Sequence, residues 1–331
     1  MSPTSHHHRR YAPAARAALR AGFGSAAALV PLAGGLLLSA ALAGCGEAGP
    51  RESPPRGASS VSVTDDAGRT VSLPRPARRV ISLVPSVTDL VVALGGANRL
   101  AARTDYDSDP RLATLPSVGG GLDPSLEVIA SLGPDLVVAW RERTPKLAPR
   151  LEELGVPVLL LNTQDTAGVF ANIDRLGTLL DRTEEAGSLA TSIRAELDSV
   201  RRSVDGRPRR SVLYLVATDP PMTAGAETFP LQLVSVAGGE SVFPELRHGW
   251  PRVSLEAVVR RDPELILLPL TEGGEGAAAG LRGRAGWREV PAVHAGRIRV
   301  LPTEVVNRPG PGLGAAARLI RNAIHPEAGG R

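Results

Sequence analysis

Two glutamates 129 residues apart are the first candidates for a shared task. Residues 125–138 read SLEVIASLGPDLVV and residues 254–267 read SLEAVVRRDPELIL, so one offset lays Ser125-Leu126-Glu127 on Ser254-Leu255-Glu256. The same offset lays Pro134 and Leu136 on Pro263 and Leu265. A carboxylate in the first turn of a helix is favoured by the helix dipole, which accounts for either glutamate alone. Together, Glu127 and Glu256 present a symmetric pair of negative charges, suited to docking on a two-fold membrane partner that carries arginines. The second candidates are aromatic. Such residues make up only 3 % of the chain, so the positions of Tyr106, Trp140 and Trp250 carry weight. Tyr106 falls in a polar loop, Trp140 follows a strand and Trp250 precedes a helix. Flat apolar rings converging from such loops suit a large planar ligand better than a sugar phosphate or an ion. Trp287 carries no such placement and reads as ordinary packing.

Catalytic signatures are missing from the sequence. It holds no G-x-S-x-G elbow, no phosphate-cradling glycine loop, no H-E-x-x-H and no G-x-G-x-x-G after a strand. No catalytic residue is therefore assigned, and a lipid-anchored hydrolase ranks behind any binding role. A metal site is not expected either. His248, His294 and His325 all lie in the second half, and the first lobe, residues 61–163, offers neither histidine nor cysteine to face them. Each is expected on the surface or in a loop.

The N-terminus has its own logic. Arg9, Arg10, Arg16 and Arg20 precede an uncharged apolar run at 25–43, which ends in Leu42-Ala43-Gly44-Cys45. That pattern resembles the signal peptide of bacterial lipoproteins, with residues 1–44 removed and the chain's only cysteine, Cys45, lipidated. The His6–His8 run lies within this segment and so contributes no metal site. The segment holds four of the 38 basic residues and none of the 34 acidic ones, leaving 34 of each. A formally neutral mature chain, with Lys146 as its only lysine, gives no electrostatic footprint for nucleic acid. Residues 45–60, rich in Pro, Gly and Ser, read as a tether.

The elements that must position the candidates alternate between strand and helix. A small hairpin is expected around Asp66-Ala67-Gly68. A buried strand at 80–84 should run into a helix capped by Ser86, and Asp123-Pro124 should cap the first repeat helix. Residues 166–203 carry apolar residues at helical spacing (Val169, Ile173, Leu176, Leu180, Ile193, Leu197), enough for a helix crossing between lobes and a second one after it. Ser211–Val216 repeats the first strand, Asp219-Pro220-Pro221 opens a loop, 273–280 reads as a mobile Gly/Ala loop, and 313–324 closes the chain as a helix. The expected fold is α/β: two similar lobes with mainly parallel sheets at 61–163 and 183–325, joined by one long helix within 164–182. Ligands on such sheets bind beyond the carboxyl ends of the strands, here in the cleft between lobes.

Arg79-Val-Ile-Ser-Leu, Thr104-Asp-Tyr-Asp-Ser-Asp-Pro, Pro134-Asp-Leu-Val-Val-Ala-Trp-Arg141 and Trp250-Pro-Arg-Val-Ser-Leu-Glu256 closely resemble the cobalamin-binding proteins of ABC importers. More broadly, residues 61–325 look like the siderophore, haem and cobalamin binders built on a rigid linking helix. The resemblance implies an exported, lipid-anchored substrate-binding protein with no resident cofactor. Its expected ligand is a corrinoid, with a ferric siderophore or haem as the alternative. Its expected partners are an ABC permease dimer with its ATPase subunits, docked through Glu127 and Glu256. Ligand contacts are then expected from Tyr106, Trp140, Trp250, Asp219, Glu304 and Arg308. Val216 and Val305 depart from the pattern, standing where the cobalamin binders tend to carry aromatics.

Overall fold

The strand segments are short runs of consecutive apolar residues because both faces of each sheet are covered. The computed structural model of the chain describes residues 60–144, 146–270 and 275–329. It opens with an antiparallel hairpin, β1 (Val61–Thr64) and β2 (Thr70–Leu73). The first lobe continues through β3 (Val80–Ser82), α1 (Pro85–Ala93), β4 (Leu100–Ala102), α2 (Leu126–Leu132), β5 (Leu136–Trp140), α3 (Leu147–Glu153) and β6 (Val158–Leu161). Two long helices follow, α4 (Thr166–Leu179) and α5 (Thr183–Ser203). The second lobe then runs β7 (Arg210–Thr218), β8 (Pro221–Thr223), α6 (Phe229–Val236), β9 (Gly239–Ser241), α7 (Leu255–Arg261), β10 (Leu265–Leu270) and α8 (Glu275–Gly283). It ends with α9 (Pro291–His294), β11 (Ile298–Pro302), α10 (Thr303–Val306) and α11 (Leu313–Ile324).

The two sheets share one topology. The first has the order β4-β3-β5-β6 and the second β9-β7-β10-β11, every pair parallel. The second adds β8, antiparallel to the outer end of β7. The repeat read from the sequence is thus a repeated helix and central strand: β5 and β10 begin at Leu136 and Leu265. Their helices are local twins. Ser125 Oγ accepts from the Val128 N–H at 3.3 Å, and Ser254 Oγ accepts from the Ala257 N–H at 3.1 Å. Both helices end in a left-handed residue, Gly133 at φ +55° and Asp262 at φ +43°.

Strand alternation divides the core. Leu136 and Val138 of β5, with Leu265 and Leu267 of β10, point into one central cluster with α4, α5 and α11. Val137 and Ala139 turn to an outer cluster under α2 and α3, while Ile266 and Leu268 turn to another under α7 and α8. Helix α4 contributes Val169, Ile173, Leu176 and Leu179, all fully buried; each side chain is worth about 1.5–3 kcal/mol on burial. It crosses α5 closely at Gly177, where a Cβ would lie 2.6 Å from Ala186 Cβ.

Four local readings change. The cap of α2 is Ser125, with Asp123 and Pro124 in the loop before it. Ser86 lies inside α1 and is buried; α1 starts at Pro85 after an uncapped Val84. Residues 275–283 form α8 rather than a mobile loop, because a run of alanines favours helix and Leu281 buries against the Trp287 cluster. His325 is buried instead of superficial: α11 ends beside Gly238, so the ring's Nε2 sits 3.3 Å from Gly238 O and its Nδ1 3.4 Å from Glu327. The signal segment, Cys45 and the tether lie outside the described residues.

Candidate functional site

Because both sheets are parallel, their carboxyl ends gather loops on one side, and the cleft opens there. It has a volume of about 630 Å³, within the range of about 300–1,000 Å³ usual for small-molecule sites. The first lobe lines it with Pro85 and Ser86 after β3, Tyr106 after β4, Trp140, Glu142 and Arg143 at the end of β5, and Leu161 to Gln164 at the end of β6. The second lobe contributes Thr228 and Phe229 at the start of α6, Gly249 and Trp250 before α7, and Thr303, Glu304, Asn307, Arg308 and Pro309 after β11.

Each ring is presented by a braced loop. Asp107, itself buried, accepts from the Thr104 N–H at 2.7 Å and Oγ1–H at 2.8 Å, closing a turn that leaves Tyr106 70 % exposed. Trp140 is the last residue of β5; its Nε1–H donates to Thr163 Oγ1 at 3.4 Å. Gly121 passes so close behind it that a Cβ would overlap the Leu83 carbonyl. Trp250 hangs on β8: Thr223 N donates to Pro251 O and Gly225 N to Gly249 O, at 3.0 and 2.9 Å.

Two of the four charged groups lining the cleft, Glu142 and Arg308, are committed to partners. Glu142 takes a hydrogen bond from Gln164 and pairs with Arg141 at 2.9 Å. Arg308, from the second lobe, reaches across to Asp89 of α1, with Nε to Oδ2 at 2.5 Å and Nη2 to Pro85 O at 3.4 Å. Burial pushes the Asp89 carboxyl above its usual value although Arg308 pulls it down, because nearby Asp107 and Asp109 add to the rise. A second interlobe stitch lies at the base of α4: Phe229 N donates to Gln164 O at 2.7 Å, and Thr166 donates through N and Oγ1 to Gln232 Oε1. From the floor, the buried Tyr214 hydroxyl donates to Asn307 Oδ1 at 2.7 Å, and Asn307 Nδ2 donates to Thr303 Oγ1 at 2.9 Å.

Of the residues expected to contact ligand, Tyr106, Trp140, Trp250, Glu304 and Arg308 meet in this cleft. Asp219 does not line it. β7 turns straight into β8, so Asp219 sits exposed at that turn, and α6 supplies the lining instead. Val216 and Val305 pack half-buried against the central core. Trp287 is buried, its Nε1–H donating to Thr218 O at 3.2 Å. Glu127 and Glu256 are exposed in the first turns of α2 and α7. The Glu256 carboxyl is held below its usual range by its own backbone N–H and by Ser254. No group of three or more His, Cys, Asp or Glu among the described residues is placed to hold a metal ion. Three lining residues that sequence reasoning passed over, Arg143, Gln164 and Phe229, share one signal: each follows a strand end or opens a helix at the strands' carboxyl side.

Residues 80–305 match the periplasmic binding protein family. The chain belongs to that family. Among the curated relatives of this periplasmic binding protein is a vitamin B12-binding protein of Vibrio campbellii, 28 % identical over 237 residues that cover 71 % of this chain and 84 % of the relative. The periplasmic vitamin B12 binding protein of Vibrio cholerae superposes with a TM-score of 0.65 at 26 % identity, covering 77 % of this chain and 99 % of that one. The periplasmic heme-binding protein of Roseiflexus sp. RS-1 does so with a TM-score of 0.67 at 25 % identity, covering 76 % and 99 %. The two-lobed α/β architecture is common to them.

Proposed function

We propose that this periplasmic binding protein is exported, lipid-anchored through Cys45, and binds a corrinoid in the inter-lobe cleft for delivery to an ABC permease dimer with its ATPase subunits. One observation carries the reading: Tyr106, Trp140 and Trp250, from two loops and a strand end and from both lobes, line a single opening. Rings on both walls supply apolar faces for a flat macrocycle. The ionic lining supports it. The lining carries two carboxylates, Glu142 and Glu304, and two cations, Arg143 and Arg308, of which Arg308 is already engaged by Asp89. A polyanionic ferric siderophore would call for an excess of free cations, whereas a neutral macrocycle fringed with amides would not. The vitamin B12-binding relatives point the same way.

Haem is the second reading, favoured by the exposed Tyr106 phenol at the cleft, a side chain able to ligate iron. Titration of the chain from residue 46 with cyanocobalamin, haemin and a ferric hydroxamate, followed by Trp fluorescence and calorimetry, decides between them. Tight one-to-one binding of cyanocobalamin alone is the expected result. Haemin binding without cyanocobalamin binding would move the ligand to iron.

A further inference from the structure

Arg143 is the one cation of the cleft lining that no carboxylate engages among the described residues. Its guanidinium carbon lies 5.5 Å from the Trp140 ring centroid, in cation–π range, and it makes no ion pair or hydrogen bond with a described residue. The side chain is exposed and lines the cleft. It also borders a shallow groove of about 250 Å³ shared with Lys146 and Arg150, against a single carboxylate, Asp123. The first-lobe rim is therefore net positive. On the facing lobe the charges run the other way: Arg308 is neutralised by Asp89, while Glu304 is exposed with no partner among the described residues.

We infer that Arg143 is a specificity residue that reads a phosphodiester on a macrocyclic ligand. The inference rests on the corrinoid reading above. A macrocycle packed beside Trp140 brings its peripheral substituents within reach of the guanidinium held over that ring. A phosphodiester there gains a planar, bidentate donor of opposite charge, and Glu304 repels it from the other wall. The polarity of the two walls thus fixes which way round a ligand with one anionic arm enters. Glu142, next in sequence, does not cancel Arg143 because Arg141 and Gln164 already engage it.

The probes are cyanocobalamin, which carries a nucleotide loop with one phosphodiester, and dicyanocobinamide, which lacks that loop. In the mature chain, Arg143→Ala is expected to weaken cyanocobalamin about tenfold, the size of a charge-assisted hydrogen bond at a partly wet site, and to leave dicyanocobinamide unchanged. Arg143→Lys, which keeps the charge without the bidentate fork, should recover only part of the cyanocobalamin affinity. Raising the salt should weaken cyanocobalamin binding to the native chain more than to Arg143→Ala. Equal weakening of both ligands would overturn the inference, reducing Arg143 to a support for Trp140, and no change in either would overturn it as well. Failure of the native chain to bind either probe is a different result: it removes the corrinoid reading itself.

Discussion

The Asp89–Arg308 pair gives the sharpest energetic test because it bridges the lobes at the edge of the cleft. Its side chains are 26 % and 21 % exposed, with Nε to Oδ2 at 2.5 Å. At a charge separation of about 4 Å and an effective dielectric of about 20, the attraction is about 4 kcal/mol. Taking both groups partly out of water offsets much of that, and burial already outweighs Arg308 in raising the Asp89 pKa. Arg308→Ala leaves that carboxylate half-buried without its cation. Between the cost of breaking a buried pair and that of an exposed one, about 2 kcal/mol of lost stability is expected at pH 8. The loss must depend on pH. A carboxyl whose pKa is raised in the folded state stabilises the fold when protonated, and that contribution disappears as pH rises through the folded value. Removing Arg308 raises the Asp89 pKa further, so the gap between variant and native protein should narrow on acidification towards pH 5. Urea denaturation of the native protein, Arg308→Ala, Asp89→Asn and the double variant, at several pH values, reads both quantities. In the Asp89→Asn background, Arg308→Ala should cost almost nothing. Additive single effects within about 0.5 kcal/mol, or a penalty flat from pH 5 to 8, would refute the reasoning.

Two further outcomes follow from the site. Tyr214→Phe removes the hydroxyl that anchors Asn307 on the cleft floor and should cost about 1 kcal/mol of stability, with ligand affinity as the second readout; unchanged stability would show that Asn307 finds another donor. Glu127→Ala combined with Glu256→Ala, both exposed and outside the cleft lining, should abolish transport in cells while cleft affinity stays unchanged by titration. Loss of affinity in that pair would count against docking as their role.

Much of this was legible in the sequence where period and repetition speak. The 129-residue offset located the twin helices and central strands, and the apolar runs of β5 and β10 marked strands covered on both faces. The three cleft aromatics were legible because each stands beside a strand or helix end. Elsewhere local composition pointed away from the tertiary outcome. Asp123-Pro124 resembles a cap, but the chain needs two more residues to enter the helix, and Ser125 takes the role. Glycine content suggested a loop where alanines and Leu281 make α8. Asp219 lost its place in the cleft because β7 continues into β8, a pairing that no local pattern announces. His325 is buried through a contact with Gly238, 87 residues away in the chain, and Arg143 drew no notice because only folding sets it over Trp140.

The central cluster belongs to neither lobe. Leu136 and Leu159 of the first sheet, Val212 and Leu267 of the second, and Ile173, Ile193 and Ile320 of α4, α5 and α11 form one contiguous buried set. Cutting the chain between the lobes would leave each half with only its smaller outer cluster and an uncovered apolar face on the other side of its sheet. The protein should therefore melt as one cooperative unit despite its two-lobed outline, with a single calorimetric transition. A destabilising change deep in one lobe then lowers the population of a competent cleft as a whole, and the same shared core restrains the lobes from opening wide between one ligand and the next.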